Sequence, residues 1–110
     1  MTASEPFRLT TAVDNNGCLR LAVHGDVDLW TARETERRLA AERDGHPCLV
    51  IDLSDVTFMG AAGATLLVRA QLQASTEGRR MTVVDGLDAH RVLEITGLLR
   101  MLDVVEAPFN

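Results

Sequence analysis

The segment Gly60-Ala61-Ala62-Gly63 is where this chain could first be expected to do chemistry. Four residues with almost no side chain follow an apolar run and open a helical pattern. In such a place backbone N–H groups and a helix dipole can hold an anion. The downstream Lys and Ser/Thr of a nucleotide-binding loop are missing, as is the spacing of a dinucleotide fingerprint. Close helix–sheet packing is the alternative use of the same glycines, Gly63 in particular.

Nucleophilic and metal chemistry have less support. The serines are Ser4, Ser54 and Ser75, none in a nucleophile-elbow motif or with His and carboxylate partners placed by sequence. His24, His46 and His90 fall in separate elements without ligand spacing. Asp26 and Asp28 are two apart, but carboxylates just ahead of a helix more often stabilise its N-terminus. Cys18 and Cys48 are too few for a zinc site, and their apolar surroundings predict buried free thiols in a reducing compartment. The residues therefore point away from an enzyme, and neither a metal nor a cofactor is expected.

The elements that must position these residues follow from periodicity. Residues 7–13 and 19–23 alternate apolar with polar, as half-buried strands do, and Asp14-Asn15-Asn16-Gly17 joins them as a hairpin turn. Thr31 and Glu34 have capping-box spacing, which predicts a helix to about Arg43 or Asp44, ended by Gly45, with Ala32, Leu39 and Ala40 inward. Cys48-Leu49-Val50-Ile51-Asp52-Leu53 is nearly continuous in apolar character and reads as a central strand, with 54–57 a turn. A helix follows from Ala64 to Gly78, then a short strand over 80–84, a helix capped by Asp88 and ended at Gly97, and an edge strand within 98–106. Strands alternating with helices imply right-handed crossovers and an α/β domain.

Composition narrows the function classes. The 110 residues carry 11 basic and 16 acidic side chains, a net charge of −5, and every basic residue is Arg. The Arg are dispersed, so no basic stripe for nucleic acid is present, and an acidic balance disfavours anionic membrane surfaces. No apolar run approaches the ~20 residues of a membrane span, so direct membrane insertion is not expected. Without a basic-then-apolar leader, the chain reads as one cytoplasmic domain with its core at about 7–106.

Three segments carry a resemblance. Asp52-Leu53-Ser54-Asp55-Val56-Thr57-Phe58-Met59-Gly60-Ala61-Ala62-Gly63 is similar to the signature of STAS domains, especially the bacterial anti-sigma factor antagonists. Gly25-Asp26-Val27-Asp28 resembles that family's turn before the first helix, and Arg91-Val92-Leu93-Glu94-Ile95-Thr96-Gly97-Leu98 its Arg-Leu-x-x-x-Ser/Thr-Gly-Leu segment. The resemblance implies a single domain with a mixed four- or five-stranded sheet and crossover helices mainly on one face. It also implies a regulatory, non-enzymatic role: an antagonist that binds an anti-sigma factor of serine-kinase fold and so frees a sigma factor. The binding surface it suggests joins Asp28 and Leu29 with Gly60, Ala61, Ala62, Gly63 and Thr65. Ala62 falls on the family's phospho-acceptor position, Ala61 on the preceding Ser and Gly60 on the Asp. An alanine methyl has no oxygen to phosphorylate, so the family's phosphate switch is not expected there. A STAS subunit of a membrane-lipid transport complex, or another degenerate STAS interaction module, is the alternative.

Overall fold

The computed structural model describes residues 6–107. In chain order the elements are β1 (Arg8–Val13), β2 (Leu19–Val27), α1 (Leu29–Glu42), β3 (Cys48–Met59), α2 (Ala61–Thr76), β4 (Arg80–Asp85), α3 (Leu87–Ile95), α4 (Leu98–Met101) and β5 (Asp103–Glu106). The five strands form one mixed sheet in the order β1-β2-β3-β4-β5. Only the β1–β2 hairpin is antiparallel; the other pairs are parallel. Each crossover advances by one strand in the same direction, and right-handed crossovers of that kind all land on one face. The other face stays open.

The burial pattern matches this division. Leu19, Leu21, Val23, Gly25 and Val27 of β2 are all buried, and their alternates are not. Leu21, Ile51 and Val83 stand in register across the three central strands and, with Leu53, Leu67 and Leu93, form the fully buried centre. The apolar run of β3 is therefore not buried on both sides: Leu49, Ile51 and Leu53 turn inward, while Val50 and Asp52 face the open side. On that face Asp52 accepts from Arg20 Nη2 at 2.5 Å and from the Ser54 hydroxyl at 2.6 Å.

Residues 54–57, expected as a turn, continue β3. The strand carries one extra residue against β2 between Ala22 and His24 and another between Gly25 and Asp26. Each bulge shifts the facing of the residues after it, so burial passes from every second residue to Leu53, Val56 and Met59. That three-residue spacing hides a strand from a search for period two. α1 begins one turn earlier than expected because Asp28, not Thr31, is its N-cap. Its buried residues are Ala32, Thr35 and Leu39; Ala40 is exposed. Thr35 tolerates complete burial because its hydroxyl donates to the Thr31 carbonyl at 2.8 Å. Similarly Gly86 rather than Asp88 caps α3, and Gly97, at φ +78°, turns the chain into α4.

The cysteines correct the free-thiol expectation. Leu19 pairs with Leu49, so Cys18 and Cys48 lie one step back on adjacent strands, and they are joined as a disulfide with Cα atoms 4.6 Å apart. Thirty residues of sequence separation concealed a contact that parallel pairing creates. No described helix is long and apolar enough to cross a membrane.

The turn into α3 leaves no room for a side chain at Gly86. A Cβ on Gly86 would lie 2.7 Å from the Ser54 carbonyl oxygen and 2.9 Å from its Cα, both backbone atoms. Gly86→Ala is expected to lower stability by about 1–3 kcal/mol, the usual cost of forced overpacking. Urea denaturation measures it, and a loss below about 0.5 kcal/mol, the scale of an ordinary surface change, would show that β3 yields there.

Candidate functional site

Three strand-to-helix connections leave the carboxyl ends of parallel strands, and each consists of one residue. Asp28 joins β2 to α1, Gly60 joins β3 to α2, and Gly86 joins β4 to α3. All three have extended backbone angles and serve as helix N-caps. Val27 and Met59 pair at the ends of their strands, and the Gly60 N–H donates to the Val27 carbonyl at 3.0 Å. The first two turns are thereby held side by side, which brings Asp28 and Leu29 near Gly60 and Ala61.

The Asp28 turn is rigid. Its carboxylate accepts from the Thr31 N–H at 2.9 Å, and Thr31 Oγ1 accepts from the Asp28 N–H at 2.8 Å. The same hydroxyl donates to the Asp26 carbonyl at 2.8 Å. The hydrogen bond from the Thr31 backbone holds the Asp28 carboxyl below the ordinary carboxylate range, so the cap is anionic at neutral pH. Thr57 Oγ1 donates to Asp26 Oδ1 at 2.6 Å, a second tie between β2 and β3 at this edge. The Gly60 cap, by contrast, has no side chain to offer α2.

The expected surface residues divide. Asp28, Leu29, Ala61 and Thr65 are exposed, and Ala62 and Gly60 are partly so. Thr65 returns its hydroxyl to the Ala61 carbonyl at 3.2 Å. Gly63 is buried: a Cβ there would meet Met59 Cγ and lie 3.2 Å from Val27 Cγ1, so its role is close approach of α2 to the sheet. Three exposed apolar residues that the sequence did not single out lie near the carboxyl ends of the parallel strands, Trp30 and Phe58 beside the Asp28 and Gly60 turns and Leu87 at the Gly86 turn. Trp30 is 74% exposed, Leu87 84% and Phe58 55%. Phe58 lies beside Gly60, its ring Cε2 3.5 Å from where a Cβ would be. The second bulge of β3 brings Phe58 to this position, and no periodicity signals it.

The histidines remain apart. His24 lies on the open face with Nδ1 3.1 Å from Asp55, and His46 Nδ1 is 3.2 Å from the Gly17 carbonyl. His90 Nδ1 is 2.6 Å from Asp85 Oδ2, a carboxylate almost wholly buried at the end of β4. No described group of three or more His, Cys, Asp or Glu has metal-site geometry.

The STAS domain family model matches residues 10–108. The chain belongs to the STAS domain family. It is 31% identical over 99 residues to the anti-sigma-F factor antagonist RsfB of Mycobacterium tuberculosis strain H37Rv, covering 89% of this chain and 80% of that protein. An anti-sigma factor antagonist from Mycobacterium paratuberculosis, known as a crystal structure, is 29% identical with a TM-score of 0.80, covering 94% of this STAS domain and 89% of that chain. The anti-sigma factor antagonist SpoIIAA in its unphosphorylated form shares the fold at 10% identity, with a TM-score of 0.77 over 92% of this domain and 89% of that chain.

The Asp85–His90 contact gives the edge a pH dependence. The hydrogen bond to Asp85 raises the His90 pKa above 6.5, against a smaller opposing effect of desolvation, and Glu94 and Glu106 add to the rise. A raised folded-state pKa means that the ion pair contributes fully below about pH 6.5, the unfolded value, and is lost as pH rises through the folded value. An NMR titration is expected to place the His90 midpoint above that of an unfolded histidine, and His90→Gln is expected to remove this part of the pH dependence of urea stability. A His90 midpoint at or below the unfolded value would contradict it.

Proposed function

We propose that this STAS domain is an anti-sigma factor antagonist that docks through the carboxyl edge of its sheet onto an anti-sigma factor and so frees a sigma factor. The supporting observation is the exposure of Leu29, Trp30 and Phe58 at the one edge where the small residues Gly60 and Ala61 also emerge. Large apolar side chains left in water at one place mark a partner surface, and the small residues beside them let a partner backbone approach closely. Asp26 and Asp28 stand on the same edge, so the fitting partner surface has an apolar centre and a cationic rim. The similarity to RsfB supports the same reading.

The partner is an anti-sigma factor of serine-kinase fold, and this chain binds it without being switched off by it. Ala62 stands at the phospho-acceptor position and carries no hydroxyl, so binding competence is constant and control passes to the abundance of the protein or to competition for its partner.

Two measurements test this reading. In calorimetric titrations against the anti-sigma factor encoded by the same organism, Trp30→Ala and Phe58→Ala are each expected to weaken binding about 30-fold, the loss of about 2 kcal/mol typical of an aromatic anchor. Leu72→Ala, on α2 beside the groove between α1 and α2, is expected to leave affinity unchanged. No binding of the unaltered domain would refute the proposal. With ATP present, the intact mass of the bound domain is expected to stay constant. Ala62→Ser, alone or with Gly60→Asp and Ala61→Ser, is expected to gain one phosphate, and phosphate on the unaltered chain would refute the loss of the switch.

A further inference from the structure

We infer that Cys18–Cys48 is a reversible thiol–disulfide site through which redox state sets the stability of the domain. The bond joins two parallel strands at their amino ends. Leu19 and Leu49 point into the core; Cys18, just before Leu19, is itself buried, whereas Cys48, just before Leu49, is partly exposed. Cys48 is the more exposed of the two residues, so the attack is assigned to its side of the bond.

The surrounding backbone is held without the bond. Asp14 accepts from the Cys18 N–H at 3.0 Å, His46 Nδ1 lies 3.2 Å from the Gly17 carbonyl, and Arg79 donates to the His46 carbonyl at 3.0 Å. The reduced domain therefore keeps its fold. Reduction acts on the unfolded chain, which loses a cross-link spanning thirty residues and gains the corresponding entropy. The site is at the far end of β2 from Asp28, about 33 Å away at the usual rise of about 3.3 Å per strand residue. Stability changes with redox state while the docking edge does not, so the inference stands independently of the proposed partner.

The chemistry balances with a dithiol donor of the thioredoxin class. One donor thiolate attacks Cys48 Sγ, the Cys18–Cys48 bond breaks, and Cys18 leaves as a thiolate that takes a proton. The second donor thiol resolves the mixed disulfide, and Cys48 is protonated in turn. The domain has gained two electrons and two protons, and the donor has become a disulfide. Glutathione disulfide drives the reverse, yielding two molecules of reduced glutathione.

The test compares thermal melts and thiol counts of the domain equilibrated with glutathione disulfide and with dithiothreitol. The oxidised form is expected to titrate no thiols when denatured and the reduced form two, with the melting temperature lower by about 10 °C on reduction and recovered on reoxidation. The Cys18→Ser/Cys48→Ser double variant is expected to melt near the reduced protein and to ignore dithiothreitol. Two thiols persisting in glutathione disulfide, coincident melts of the two forms, or a disulfide-linked dimer on a non-reducing gel would each overturn the inference.

Discussion

The parallel pairing of β2 with β3, held to the last residue of each strand, is the constraint on which the rest of this structure depends. Val27 and Met59 stop at the same level, and the Gly60 N–H closes onto the Val27 carbonyl directly beyond them. Two single-residue turns are thereby placed abreast, and a third, at Gly86, results from the same right-handed advance of the chain. A turn of one residue leaves no loop to absorb an error. Where the strands end thus decides where the helices begin and which side chains stand at the rim.

This economy explains how one small domain carries both a core and an edge of exposed apolar side chains. The apolar side chains of the sheet that face the helices are buried by them, whereas Leu29, Trp30 and Leu87, in the first turns of α1 and α3, are left exposed. Exposure of Leu29, Trp30 and Leu87 is a geometric outcome of starting a helix one residue after a strand. Hydrogen bonds then fix the edge: the Asp28–Thr31 box, the Thr57–Asp26 tie and the buried Asp85 beneath His90 hold three turns in place without apolar packing.

Much of this is legible in the sequence, and the failures have physical causes. The hairpin, the order of strands and helices and the open sheet face come from alternation in residues 7–23 and from the turn residues between elements. The small residues of 60–63 mark the start of α2, and Asp28 with Leu29 does lie beside them. The end of β3 is not legible because two bulges replace period two by spacings of three, and Phe58 is lost with it. The start of α1 is obscured because Thr31 and Glu34 imitate a capping box one turn inside the real one. Trp30 therefore reads as part of a loop. The cysteine bond depends on strand register, which no local pattern reports.

The edge strand β5 has four residues, with Asp103 at its start and Glu106 at its end. An exposed strand edge is a template on which further chains can assemble, and brevity with like charges is how proteins blunt it. Because this sheet is open, it cannot escape the hazard by closing into a barrel. The domain must stay dispersed while bearing an uncovered tryptophan. Two carboxylates at the rim of the sheet let copies accumulate without joining into a continuous ribbon.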